Sequence, residues 1–272
     1  MTIDEALAYA KSKVHSDHAK ILLADVLGIN SLELLLHLEE QVEEEKLELF
    51  KKEVEALSQN KPLQYVIGSV NFYGNRFYIN ENVLIPRFET EELVENTIFK
   101  AKELFNYPVD IIDIGCGSGV IGLTLEKHLS TNSVDLIDIS KEALEVSKKN
   151  IDNFNSKANI IHSDVFSNID KKYDIIISNP PYIKTNEEIE DIVKDNEPHI
   201  ALYAGDDGLD IYRKIFQDIK NHMKDKCLIA LEIGMDQRED IINLTNQYLD
   251  NVEIEIKKDL QDRDRMVFIY TK

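Results

Sequence analysis

The amino-acid sequence predicts an α/β protein: a mostly parallel sheet with helices on both faces and an antiparallel C-terminal pair of strands, preceded by a small all-helical N-terminal domain. Three observations predict it. From residue 87 onward, short apolar runs rich in Ile and Val alternate with longer amphipathic segments, the pattern of a parallel sheet covered on both faces. Before residue 62, apolar residues recur only at helical spacing. Between these regions lies an aromatic and β-branched stretch with turn signals. The expected organisation is a helical domain at residues 1–61, a β-hairpin linker at 62–86 and the sheet domain at 87–272.

The elements follow in order. "DHAKILLADVLG", "SLELLLHLEEQ" and "EEEKLELFKKEVEALSQN" read as helices. Ser16 or Asp17 caps the first of these, Gly28 stops it, and Ser31 caps the next. "KPLQYVIGSVNFYGNRFYINENVLIP" reads as a hairpin, with turns at Tyr73-Gly74-Asn75 and Asn80-Glu81-Asn82. "ETEELVENTIFKAKELF" is a helix, "VDIIDIG" a strand, "GVIGLTLEKHL" a helix and "SVDLIDI" a second strand. The helix "SKEALEVSKKNIDNF" leads to two strands, "ANIIHSD" and "YDIIISN". "GLDIYRKIFQDIKNHM" and "MDQREDIINLTNQYL" are helices around the strand "KCLIALEIG", and "VEIEIKKDL" with "RMVFIYTK" forms the antiparallel pair.

Composition narrows the class. The chain has 272 residues, 43% apolar and 30% charged, as in a soluble globular protein. Its longest apolar runs fall far short of the roughly 20 residues of a membrane span, and the charged N-terminus lacks the apolar centre of a signal peptide. A cytoplasmic protein is expected. Two cysteines, Cys116 and Cys227, cannot form a disulfide framework, and no Cys/His spacing matches a metal site. With 31 basic against 51 acidic residues, the formal net charge is −20. Nucleic-acid binders cluster Lys and Arg against phosphates, whereas the basic residues here are scattered, so direct nucleic-acid binding is not expected.

The densest local signal is "VDIIDIGCGSGVIG", which holds four of the ten glycines directly after a predicted buried strand. Gly115, Gly117 and Gly119 allow a sharp turn and a close approach of backbone to ligand. Gly117, Gly119 and Gly122 fit the dinucleotide spacing G-x-G-x-x-G, while the full "DIGCGSG" favours S-adenosylmethionine. Asp113, closing the strand, can face a ligand ammonium. Asp138, about 20 residues beyond the glycines, suits a ribose in either class, or caps the following helix, for which Ser140 is the more natural residue. Asp164 faces an adenine amine or forms a turn.

"IISNPPYI" places two of the six prolines after another buried strand. Proline cannot donate to a sheet ladder, so the strand ends here with Asn179 at its carboxyl end, where open α/β sheets bind ligands. The segment offers no strong base, thiol or metal ligand. An amide, a backbone carbonyl and an aromatic ring suit a planar, weakly nucleophilic NH2: Asn179 Oδ1 and the Pro180 carbonyl each accept one N–H, and Tyr182 packs against the flat group. Catalysis of this kind is orientation plus stabilisation of charge developing on nitrogen.

Together, "IPRFETEELVE", "DIGCGSG" and "SNPPYI" resemble the PrmC (HemK) family of protein-(glutamine) methyltransferases, and the likeness extends over nearly the whole chain through "KPLQYVIG", "EPHIALYAGDDGLDIYRKI", "ALEIGMDQ" and "KDLQDRDRMV". The glycine loop alone marks the class-I methyltransferase fold, and N-P-P-Y is shared with enzymes acting on exocyclic amines of adenine or guanine. "PRFETE" joined to both is far more selective. The resemblance implies a Rossmann-like class-I S-adenosylmethionine-dependent methyltransferase that modifies the Gly-Gly-Gln glutamine of bacterial class-1 peptide chain release factors, leaves S-adenosylhomocysteine, needs no metal and works as a monomer without a membrane. It implies that Gly115, Cys116, Gly117, Ser118, Gly119, Asp138, Val165 and Asn179 line the cofactor site, and that Asn179, Pro180, Pro181 and Tyr182 hold the glutamine, with Asn179, Pro180 and Tyr182 catalytic. Arg87, Thr90 and Glu91 are expected at the mouth. Two positions depart from the family pattern, Phe88 where Pro is frequent and Val165 where some members have Trp. The alternative is a methyltransferase acting on a nucleic-acid amine; a non-catalytic scaffold and a dehydrogenase rank below it.

Overall fold

The computed structural model describes residues 1–271. The chain divides into two compact units: the first comprises Met1–Ser69 with Glu190–Asn196, and the second Val70–Ile189 with the chain from Glu197 on.

The first unit is helical. α1 (Ile3–Lys11) starts with a capping box in which the Thr2 hydroxyl accepts from Glu5 N and the Glu5 side chain accepts from Thr2 N. α2 (Ser16–Leu27) ends at Gly28, whose φ of 74° closes the helix in the left-handed region. At its start the His15 ring, rather than Ser16 or Asp17, accepts from Asp17 N. The expected helix over "SLELLLHLEEQ" is only a 3-10 turn, Glu33–Leu36. Of its leucines Leu34 alone is buried, while Leu32, Leu35 and Leu36 are 75%, 60% and 80% exposed; one anchoring side chain does not sustain a helix whose stability must come from tertiary packing. Asn30 Oδ1, not Ser31, accepts the Leu32 amide. α3 (Glu44–Ser58) buries Phe50, Val54 and Leu57. In place of a strand, "LQYVI" forms the short α4 (Leu63–Ile67), begun by Pro62 and ended by Gly68 at φ 74°. Among the sequence expectations nothing marks α8 (Asp191–Asn196), which belongs to this unit and whose Asn196 Nδ2 donates to the Asn60 carbonyl at 3.1 Å.

The boundary between the two units falls within the first strand of a hairpin, β1 (Ser69–Phe72) and β2 (Asn75–Tyr78), which otherwise opens the second unit. Its two-residue turn has positive φ at both Tyr73 (47°) and Gly74 (73°), matching the twist of the strands. After α5 (Phe88–Leu104) come β3 (Val109–Ile114), α6 (Val120–His128), β4 (Thr131–Asp138), α7 (Lys141–Phe154), β5 (Asn159–His162) and β6 (Tyr173–Ser178). Then follow α9 (Asp210–His222), β7 (Met223–Glu232), α10 (Arg238–Tyr248), β8 (Val252–Lys258) and β9 (Asp264–Thr271). The seven-stranded sheet has the order β5-β4-β3-β6-β7-β9-β8, parallel through β7 and antiparallel at β7/β9 and β9/β8.

Strand residues alternate between two cores, as the period of two requires. Ile111, Leu136, Ile175 and Ile177 pack with Leu93 and Ile98 of α5 and Leu123 of α6. Ile112, Ile137 and Ile176 pack with Tyr212, Ile215 and Phe216 of α9 and Ile241 of α10. The inner strands β3 and β6 are buried along their whole length, which is why they read as continuous apolar runs.

Candidate active site

The sheet changes direction at β3. The chain steps outward to β4 and β5, then returns to lay β6 on the other side of β3. Ligands of open α/β sheets bind beyond the carboxyl ends of the strands at such a switch point. Here Ile114 pairs with Ser178, and Ser178 Oγ donates to the Ile114 carbonyl at 2.7 Å. The glycine loop and the double-proline segment therefore leave neighbouring strands at one level. Between them lies a cavity of about 270 Å³, whose walls include Ile114, Val120, Ile139 and Ala143.

Sequence-predicted residues that meet there are Gly115, Cys116, Gly117, Ser118, Asp138, Val165, Asn179, Pro180 and Pro181. Gly119 and Tyr182 are not on the cavity wall. Gly119 is the residue before α6, with φ 79°, and any Cβ there would sit 3.2 Å from Leu136 and Ser147. Its use is close packing of helix on sheet.

The loop is held by side chains from β4 and α7. Asp138 Oδ2 accepts from Gly117 N at 2.9 Å and Oδ1 from Ser140 N at 2.8 Å. Ser147 Oγ donates to the Gly117 carbonyl at 2.7 Å, and Asn150 Nδ2 to the Ser118 carbonyl at 2.9 Å. Ser140 itself caps α7 through Ala143 N. Burial raises the Asp138 carboxyl, against the pull of the three backbone amides of Ser140, Gly117 and Ile139. Each of its oxygens keeps a lone pair for a further donor. Cys116 is buried, and burial pushes its thiol well up, so it offers no nucleophile.

Asp113 takes no place at the cavity. It lies fully buried beneath the loop, with Oδ2 accepting from Gly122 N at 2.9 Å and Oδ1 unpartnered, and burial pushes it up to about 7. Asp164 stands at the rim in an ion pair with Lys214 of α9 at 2.8 Å. Val165 forms wall with φ 50°, a left-handed conformation that a β-branched residue adopts only under constraint. Ser163 supplies it by donating to the Val165 carbonyl at 2.7 Å.

Asn179 Nδ2 donates to Thr90 Oγ1 at 3.0 Å, and Thr90 Oγ1 donates to Glu232 Oε2 at 2.7 Å. Tyr182 turns from the cavity, packs against the core beneath α9, and points its hydroxyl at Glu232 Oε1, 3.4 Å away. Buried Arg265 approaches the same hydroxyl at 3.4 Å and donates to the Ile233 carbonyl at 3.0 Å. Burial pushes Glu232 up to about 7, with Thr90 and Arg265 pulling it back toward the carboxylate. Of the expected mouth residues, Thr90 is on the wall. Arg87 bonds Glu197, which also accepts from Ile85 N, and Glu91 accepts from Tyr73 N of the hairpin. Sequence reasoning missed Glu232 and Arg265. The available signal was an acid closing a buried apolar strand, "LIALEIG", as Asp113 and Asp138 do.

Among the described residues there is no helix long and apolar enough to cross a membrane and no cluster of three or more potential metal ligands.

Comparison with known proteins gives consistent results. The methyltransferase small domain family matches residues 91–197, and the PrmC N-terminal domain family matches residues 4–68. A release factor glutamine methyltransferase of Bacillus subtilis is 37% identical over 278 residues, covering 98% of this chain and 96% of that one. Its namesake in Streptococcus pneumoniae is 40% identical over 245 residues, covering 89% and 87%. Among solved structures, a ribosomal protein L11 methylase from Lactobacillus delbrueckii subsp. bulgaricus superposes with a TM-score of 0.53 at 18% identity, over 71% of this chain and 84% of that one. A 16S rRNA N2 G1207 methyltransferase of T. thermophilus gives 0.52 at 14% identity, over 75% and 50%. At these identities the structural matches bear on the fold, which is that of class-I methyltransferases.

Proposed function

The chain belongs to the release factor glutamine methyltransferase family, and from that premise we propose that it methylates the side-chain amide nitrogen of the Gly-Gly-Gln glutamine in bacterial class-1 peptide chain release factors, in the cytoplasm, with S-adenosylmethionine as donor. The observation that carries this reading is the pairing of Ile114 with Ser178, which sets a cofactor-type loop and an amide-binding segment on one cavity.

The cavity residues fit the donor. Apolar Ile139 and Val165 line the same cavity as the carboxylate of Asp138, a lining that suits a flat base and a ribose diol, and the glycine turn brings backbone close without intervening Cβ atoms. When bound, S-adenosylmethionine supplies an electrophilic methyl on a sulfonium. Asn179 Oδ1 and the Pro180 carbonyl accept the two N–H groups of the glutamine amide. This holds the amide plane in one orientation and favours the charge that develops on nitrogen. The ring of Tyr182, anchored by Glu232 and Arg265, backs the loop that carries both acceptors. The helical unit recognises the body of the release factor.

The test is to incubate purified protein with labelled S-adenosylmethionine and a bacterial release factor or, separately, duplex DNA and ribosomal RNA, then locate added methyl by mass spectrometry. One methyl on the Gly-Gly-Gln glutamine, absent with Asn179→Ala, is expected. Label in nucleic acid and none in the factor would overturn the reading in favour of a base amine.

A further inference from the structure

We propose that Thr90 and Glu232 are positioning residues that fix which end of the Asn179 amide faces the cavity. The inference rests on the glutamine-methyltransferase reading of the site and adds the groups that aim its principal acceptor. An asparagine amide is nearly symmetric in shape, and rotation by 180° about its last bond exchanges a donor for an acceptor. In one orientation Asn179 accepts a substrate N–H. In the other it presents its own N–H groups to a donor and repels it.

The proton inventory of the buried chain selects one orientation. A carboxylate only accepts. Glu232, 1% exposed and ionised above about pH 7, there receives the single hydroxyl proton of Thr90 across 2.7 Å. Having given that proton away, Thr90 Oγ1 can only accept, and the group that donates to it across 3.0 Å is Asn179 Nδ2. The flipped amide would bring two acceptor oxygens to that distance at a site where Thr90 is 3% exposed, a repulsion that burial leaves poorly screened. Asn179 Oδ1 is thus left for the cavity. The three residues stand on the loop after β6, the first turn of α5 and the end of β7. They are separated by 89 and 142 positions in sequence, so the contact is a property of the assembled fold. Arg265 and the Tyr182 hydroxyl hold the far side of Glu232, which keeps its carboxylate turned toward Thr90.

Two readouts test this on the full-length protein. The first is the side-chain amide resonance pair of Asn179 in 1H–15N spectra, which requires no substrate. Thr90→Val keeps the shape of the side chain and deletes the hydroxyl, and is expected to shift that pair and raise its exchange with solvent at least about 10-fold, the ratio of roughly 1.4 kcal/mol. Thr90→Ser is expected to keep the wild-type pattern. The second is turnover with a release factor: Thr90→Val should lower kcat roughly 10- to 100-fold, as a misaligned reacting group does, with S-adenosylmethionine affinity within about 3-fold of wild type. Added to Asn179→Ala it should cost nothing more, because residues acting as a unit are not additive. Should Thr90→Val lose its fold, Thr90→Ala carries the same comparison. An unchanged Asn179 resonance pair, or equal losses in Thr90→Val and Thr90→Ser, would overturn the inference. If wild type transferred no methyl to glutamine, the functional reading would fail while the resonance comparison still decided the orientation.

Discussion

The carboxylate of Asp138 accepts the amide of Gly117 at 2.9 Å across 21 positions of sequence. The turn after β3 is thereby tied to the end of β4, and one side chain both shapes the glycine loop and presents lone pairs to the cavity. Asp138→Ala should therefore weaken S-adenosylmethionine binding by roughly 10- to 100-fold, the equivalent of one hydrogen bond to a charged group. Calorimetric titration measures it, and an unchanged Kd would remove Asp138 from the cofactor site.

For Asn179→Ala the expected loss is in turnover. Deleting one preorganised acceptor or donor of a transition state costs about 100- to 1000-fold in kcat, while cofactor affinity should stay within a few-fold. If affinity fell as far as turnover, the main role of Asn179 would be to hold the cofactor.

Asp113 predicts a pH-dependent stability. Burial raises its folded-state value from 3.8 to about 7, so the cost of a buried carboxylate is absent below about pH 4, grows as pH rises and is complete above about pH 7. Asp113→Asn keeps an acceptor for Gly122 N and cannot ionise. Its stability relative to wild type should climb between about pH 4 and pH 7, by an amount on the order of 1–4 kcal/mol, and level off above pH 7, which the difference in Tm measured across that range reads out. A difference in Tm that stays flat with pH would contradict the assignment.

Gly122 lies inside α6, where alanine ordinarily stabilises a helix by about 1 kcal/mol over glycine. A Cβ here would stand 2.3 Å from Leu136 Cδ2 and 3.2 Å from Asp113 Oδ2. Overpacking of about 1–3 kcal/mol exceeds the propensity gain, so thermal melting of Gly122→Ala should show a lower Tm than wild type.

The exposed leucines of the 3-10 turn give a handle on recognition by the helical unit. Replacing Leu32, Leu35 and Leu36 with Ser should raise KM for an intact release factor several-fold and leave KM for a short Gly-Gly-Gln peptide unchanged, because solvent-exposed positions carry little stability. Equal effects on both substrates would assign recognition elsewhere.

How far the sequence announces this structure depends on how local the physics is. Gly117 and the Pro180-Pro181 pair are legible because a left-handed turn and a strand that must stop are decided within a few residues. The strand alternation is legible because burial on both faces leaves uninterrupted Ile and Val. Leu63–Ile67 misleads, since its residue types favour a strand while Pro62 and Gly68 frame a single helical turn. "SLELLLHLEEQ" misleads because periodicity announces an apolar face without saying whether anything covers it. Glu232 is illegible for another reason: its meaning lies in Thr90, 142 positions away, and no window of sequence contains both.

The strand order carries one consequence for how the chain is made. β9 follows β8 in sequence yet lies inside it in the sheet, hydrogen-bonded to β7 on one side and β8 on the other, with Met266–Ile269 fully buried. During synthesis, Leu228–Glu232 must wait as an unpaired apolar edge until residues 264–271 have left the ribosome. Such edges are where nascent chains associate wrongly. The apolar edge of β7 thus depends for its cover on a strand made only after α10 and β8, and the growing chain needs shielding in the interval between β7 and β9.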